Sequence, residues 1–138
     1  MSNKQEFNGN TIFPKGEPLP ELFSKYFIGK AYLNMLTTTG VPIGNVTFEP
    51  GCRNNWHIHH KGGQILLVTG GRGWYQEWGK EAQELHPGDV VNIQPDVKHW
   101  HGASKDSIFS HLAVEVPAEG SSNEWLEEVT DEIYGKLK

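Results

Sequence analysis

With 138 residues, 36% hydrophobic and 21% charged, the chain has the size and composition of one soluble globular domain with a core of its own. A net charge of −5 without a Lys/Arg cluster argues against a phosphate-binding surface for nucleic acid, and no apolar run approaches a membrane span. The single cysteine, Cys52, excludes an internal disulfide and reads as a packing residue. A reducing compartment fits it, and the N-terminus lacks the apolar segment of a secretory signal, so cytoplasmic residence is the expectation.

Residues 1–25 are polar and proline-rich and read as an arm suited to wrapping a partner subunit. Sixteen glycines and eight prolines cut the remainder into short pieces, the punctuation of an all-β domain. Alternation predicts strands over 31–36, 44–49, 56–59 and 64–69. Further strands are expected at 73–78, at 81–85 across a Gly79-Lys80 turn, at 89–93 after Pro87-Gly88, and at 107–116 before Pro117. Strands at this spacing predict a sandwich or barrel over 31–117. Ser121-Ser-Asn-Glu124 matches a capping box, and Trp125, Val129 and Ile133 follow at four-residue spacing. A C-terminal helix over 121–137 is therefore expected to lay an apolar edge on the barrel. One domain, 1–138, accounts for the chain.

The histidines carry the chemistry. His57 and His59 stand two apart in a predicted strand, so both project to one face. Gln64 opens the next apolar run after the Lys61-Gly62-Gly63 turn, where its carboxamide oxygen could reach the same point. His99 would complete the set, because a divalent ion needs neutral imidazole nitrogens converging from separate strands. The bland alternative is a set of barrel histidines satisfied by internal hydrogen bonds; several unpartnered imidazoles inside would be costly. His101 lies two residues beyond His99 and faces the same interior, as a fourth ligand, a group behind the ligands, a general base or a structural hydrogen-bonder. His111 shares a face with Phe109, Ala113 and Glu115 and reads as a pocket residue. His60 and His86 read as exposed. Trp56, Trp74, Trp78 and Trp100 read as core or rim packing, and Val46 and Phe48 as core or as lining of an apolar cavity.

Two spacings resemble a known family. Gly51-x5-His57-x-His59-x4-Gln64-x5-Gly70 is similar to the first cupin motif, with glutamine in place of its usual glutamate. Gly88-x5-Gln94-x-Asp96-x2-His99 is similar to the second, with Gln94 and Asp96 replacing proline and glycine. Thr47-Phe-Glu-Pro-Gly51, His99-Trp-His-Gly-Ala103, His111-Leu-Ala113 and the tail from Trp125 to Glu132 resemble a narrower group. This group is the small single-domain bacterial cupins that include the manganese-dependent hydroxynitrile lyases; relatives are often labelled carboxymuconolactone-decarboxylase-like.

The resemblance implies a jelly-roll barrel, or double-stranded β-helix, with one divalent metal per chain held by His57, His59, Gln64 and His99. It favours manganese, whereas spacing alone also admits iron, zinc, nickel or cobalt. It implies a homodimer or homotetramer acting on a small molecule, with His101 or His111 as the acid/base group of cyanohydrin cleavage or synthesis. A neutral amide at position 64 makes the ligand set one unit more positive than a carboxylate would, which favours Lewis-acid over redox chemistry. A dioxygenase using iron or manganese, and a non-catalytic metal or small-ligand binding protein, remain the alternatives.

Overall fold

The structure is a computed structural model that describes residues 12–138. The chain opens with β1 (Glu17–Pro18), α1 (Glu21–Ser24), β2 (Phe27–Ile28), β3 (Ala31–Thr37) and β4 (Ile43–Phe48). Then come β5 (Arg53–Asn54), β6 (His57–His60), β7 (Gln64–Gly71), β8 (Gly73–Glu77) and β9 (Gln83–Leu85). It finishes with β10 (Val90–Ile93), β11 (His99–Ala103), β12 (Phe109–Glu115), β13 (Ser122–Trp125) and α2 (Asp131–Tyr134).

Two antiparallel sheets make a jelly-roll-like sandwich, as the resemblance to cupins implies. One runs β1-β3-β4-β12-β7-β10. In the other, β11 pairs with β8 along one side and with β5 and β6 in succession along the other; β13 lies beyond β6. Inward positions alternate strictly along β7, so Gln64, Leu66 and Val68 face in while Ile65 and Leu67 are half-covered. Leu66 and Val68 meet Phe48, Leu85, Ile93 and Phe109 in the main core. A second cluster of Trp56, Trp74, Trp100, Val129 and Tyr134 sits where the tail packs; Trp78 is exposed at its rim. Full burial of Val129 alone is worth about 1.5–3 kcal/mol.

The turn into β7 is tight. Lys61, Gly62 and Gly63 are three successive left-handed residues, with φ of 65°, 71° and 94°. A Cβ on Gly63 would lie 2.5 Å from the Ile93 carbonyl oxygen, so glycine is required there for Gln64 to enter the sheet in phase.

The C-terminal helix is shorter than expected. Ser122–Trp125 is strand β13, and the helix is confined to Asp131–Tyr134, capped by the Thr130 hydroxyl accepting from the Ile133 N–H at 3.3 Å. The predicted capping box is unused, because β6 offers an open edge and pairing with it satisfies the backbone groups that a helix start would leave bare. Of the predicted arm, 1–11 lie outside the described residues. Its remainder folds onto the chain's own sheet: β1 pairs with β3, and the Pro14 carbonyl accepts from Asn34 and Asn45, each at 3.1 Å. No described helix is long and apolar enough to cross a membrane.

Candidate metal centre

Three strands bring the histidines together. His99 on β11 is the register partner of His57 on β6, and β13 sets Asn123 opposite His59 and Trp125 opposite His57. Ring centroids lie 4.1 Å apart for His57–His99, 5.2 Å for His57–His59 and 5.1 Å for His59–His99. Trp125 stacks on His57 at 4.6 Å and closes that flank.

Hydrogen bonds settle which nitrogen each ring presents. Nδ1 of His57 donates to the Asn55 carbonyl at 2.8 Å, and Nδ1 of His99 to the Val97 carbonyl at 2.9 Å. Nδ1 of His59 donates to Asn123 Oδ1 at 2.7 Å. With Nδ1 donating, the position left open for a ligand bond on each ring is Nε2, and in His59 and His99 that atom is buried without a partner. An oxygen behind each imidazole with a bare nitrogen in front is the arrangement of metal ligands. Leaving such atoms unmet costs about 1–3 kcal/mol each, so the donor set fits a divalent ion that would satisfy them.

His101 belongs to the same cluster. Among the described residues, His57, His99 and His101 have ligand atoms within 4.8 Å of one another. Yet among the described residues no oxygen is hydrogen-bonded to the His101 ring; its partner is the Asn54 amide nitrogen. The Asn54 Oδ1 accepts the His101 backbone N–H at 2.9 Å, so its amide nitrogen is the end facing the imidazole, 3.3 Å from Nε2. Ligand-atom distances alone select His101 over His59, but the His101 ring lies farther from His57 and His99, at 5.8 and 6.2 Å, and the anchoring of Nδ1 favours His59 as the ligand. His111, on β12, is packed edge-on to His101 at 5.0 Å with both ring nitrogens buried and unpartnered.

Gln64 reaches the group from β7. Its Nε2 donates to Glu115 Oε2 in a short hydrogen bond. Together with His57, His59, His101 and His111 it lines an inner cavity of about 110 Å³. Outside lies a vestibule of about 280 Å³ walled by Leu19, Phe23, Leu33 and Met35, and the two spaces share Phe27, Val46, Gln64, Ala113, Asn123 and Trp125. The expected apolar lining role of Val46 and Phe48 is therefore seen at the inner cavity.

Burial governs the electrostatics. Desolvation holds the His57 and His101 imidazoles well below their ordinary range, aided by the neighbouring histidines, and brings His99 and His111 down to about 4. All four are neutral at physiological pH, as a ligand or a base must be. Cys52 is fully buried, and desolvation pushes its thiol up to about 12, which leaves it inert. His60 and His86 point outward to carboxylates.

Asn54, Asn123 and Trp125 are the site residues that pattern reading missed. The two-residue spacing of Asn123 and Trp125 was the available signal, masked by the helical spacing of Trp125, Val129 and Ile133.

The matched family model, described as Cupin domain, covers residues 44–115, which spans β6, β7, β11 and β12. The chain is a cupin. Over 90 residues, 65% of this cupin and 68% of the relative, it is 50% identical to an (R)-mandelonitrile lyase of Granulicella tundricola. The crystal structure of a cupin-like protein from Thermotoga maritima is 42% identical, with a TM-score of 0.83 over 92% of this cupin and 96% of that chain. A cupin 2 conserved barrel domain protein from Rhodopseudomonas palustris shares the fold at 16% identity, with a TM-score of 0.64 over 77% and 74% of the two chains.

Proposed function

We propose that this cupin is a metal-dependent lyase that cleaves cyanohydrins of apolar aldehydes and, in reverse, adds cyanide to them. The carrying observation is the position of His111, which has two unpartnered ring nitrogens and lines one small cavity with His57, His59 and Gln64. The name of the Granulicella relative, (R)-mandelonitrile lyase, supports the reaction class. His57, His59 and His99 through Nε2, and Gln64 through its amide oxygen, would hold the ion; manganese is the proposed occupant. When bound, the ion supplies positive charge and Lewis acidity for the developing oxygen and cyanide charges.

The chain's residues do the rest. The apolar vestibule takes the aldehyde side chain and excludes water from it. His111 accepts the hydroxyl proton, since no donor competes for its lone pair, whereas Asn54 directs an N–H into His101. The oxygen electrons then form the carbonyl as the carbon–carbon bond breaks, and its pair leaves with cyanide. The protonated imidazole returns its proton to cyanide, closing the balance as aldehyde and hydrogen cyanide.

Mandelonitrile cleavage by the manganese-loaded protein tests this, with oxygen uptake followed alongside. Benzaldehyde release without oxygen consumption is expected, and His111→Phe should lower kcat by about 10²–10⁴-fold with metal content unchanged. Oxygen consumption without aldehyde would replace the lyase with an oxygenase. Neither activity, with a small metabolite retained, would make the protein a binder.

A further inference from the structure

Gln64 is an ambiguous ligand by itself. Its amide has an oxygen suited to a cation and a nitrogen that would repel one, and the two ends are nearly the same shape. The neighbouring strand resolves the choice. Gln64 and Glu115 are direct register partners across β7 and β12, and Gln64 Nε2 donates to Glu115 Oε2. That contact holds the amide nitrogen toward Glu115 and leaves Oε1 for the other space that Gln64 lines, the histidine cavity, which Glu115 does not enter. Glu115 borders the vestibule outside.

We propose that Glu115 is a positioning residue for the metal, holding Gln64 with its oxygen inward and placing a negative charge one hydrogen bond behind it. The inference rests on the metal centre proposed above and is independent of the lyase step. A carboxylate that accepts from the amide nitrogen polarises the amide and draws electron density toward Oε1, which makes the neutral ligand a better donor. The charge absent from position 64 is thereby present at position 115. The pair supplies what a single glutamate would, divided between two side chains on adjacent strands.

Titration of the chelator-stripped full chain with Mn²⁺, followed by calorimetry and by the electron paramagnetic resonance of the bound ion, tests this. Glu115→Leu should weaken Mn²⁺ binding by about 10–100-fold and alter the spectrum, with the melting temperature of the metal-free protein unchanged. Glu115→Gln keeps an accepting oxygen but loses the charge and can present its own amide hydrogens, so an intermediate affinity is expected. That variant decides the matter if Glu115→Leu folds poorly. Combining Gln64→Glu with Glu115→Gln reverses the pair and should recover Mn²⁺ affinity beyond that of Glu115→Gln alone, a rescue that a merely structural role would not produce. Parental affinity in both Glu115→Leu and Glu115→Gln, or failure of the exchanged pair to recover, overturns the proposal while leaving the metal centre standing. Absence of Mn²⁺ binding by the parent overturns both. Weakened binding in the variants with no mandelonitrile cleavage by the parent upholds the role of Glu115 and removes the lyase.

Discussion

His59 and His60 are adjacent in the chain and occupy opposite chemical worlds. On the inner face of β6, His59 has its Nδ1 held by Asn123 and its Nε2 bare and buried. On the outer face, His60 lies between Asp96 at 3.2 Å and Glu124 at 2.7 Å, and those carboxylates raise its pKa. The strand's two-residue period thus sorts one residue type into candidate metal ligands within and ion-pair partners without. Partner chemistry, not residue identity, separates them: amide and carbonyl oxygens inside leave a neutral lone pair free, while carboxylates outside favour the charged ring.

The contrast can be broken from the inside. Removing an inner imidazole, by His57→Ala or His99→Ala, should bring metal content to background by elemental analysis and abolish cyanohydrin cleavage; full metal retention in either would sink the assignment. Asn123→Ala leaves His59 in place without its oxygen anchor, and should weaken Mn²⁺ binding by about 10–100-fold in a calorimetric titration.

Acid separates the faces by sign. The folded-state pKa values of His99 and His111 lie near 4, below the unfolded value near 6.5, so the unfolded chain takes up their protons first as pH falls. Their contribution is fully present above about pH 6.5 and is lost toward pH 4, at about 1.4 kcal/mol per pH unit for each group. The raised pKa of His60 acts oppositely, favouring the fold at low pH and fading as pH rises through it. Chelator-treated protein should therefore show a lower urea midpoint at pH 5 than at pH 7, the buried groups outweighing the solvated one. Smallest of all, His60→Ala should leave Mn²⁺ stoichiometry and affinity unchanged, and a measurable loss would show that the faces are coupled.

The inner histidines were legible in the sequence because strand geometry is local: two residues apart on a strand means one face, and His57 with His59 and His99 with His101 both obey it. The partners that give those rings their roles were not legible. Asn54, Asn123 and Glu115 are ordinary polar residues until sheet pairing sets them beside an imidazole or an amide, and that pairing is non-local. The tail misled for a related reason. Its capping box and its spacing favour a helix, but the open edge of β6 competes for the same backbone and wins. The charge reasoning at Gln64 also needed the structure, since a carboxyl group, that of Glu115, hydrogen-bonds the amide from across the sheet.

The docking of β13 has a consequence for the order of assembly. Asn123 follows the histidine it anchors by 64 residues, and Trp125 covers His57 from the same strand. The anchor on His59 and the stacked wall over His57 exist only once this distant segment is closed onto β6. Closing so long a loop is an entropic debt that local contacts do not settle. Any ion these histidines hold would therefore have its full set of supports only in molecules whose last strand has found its edge.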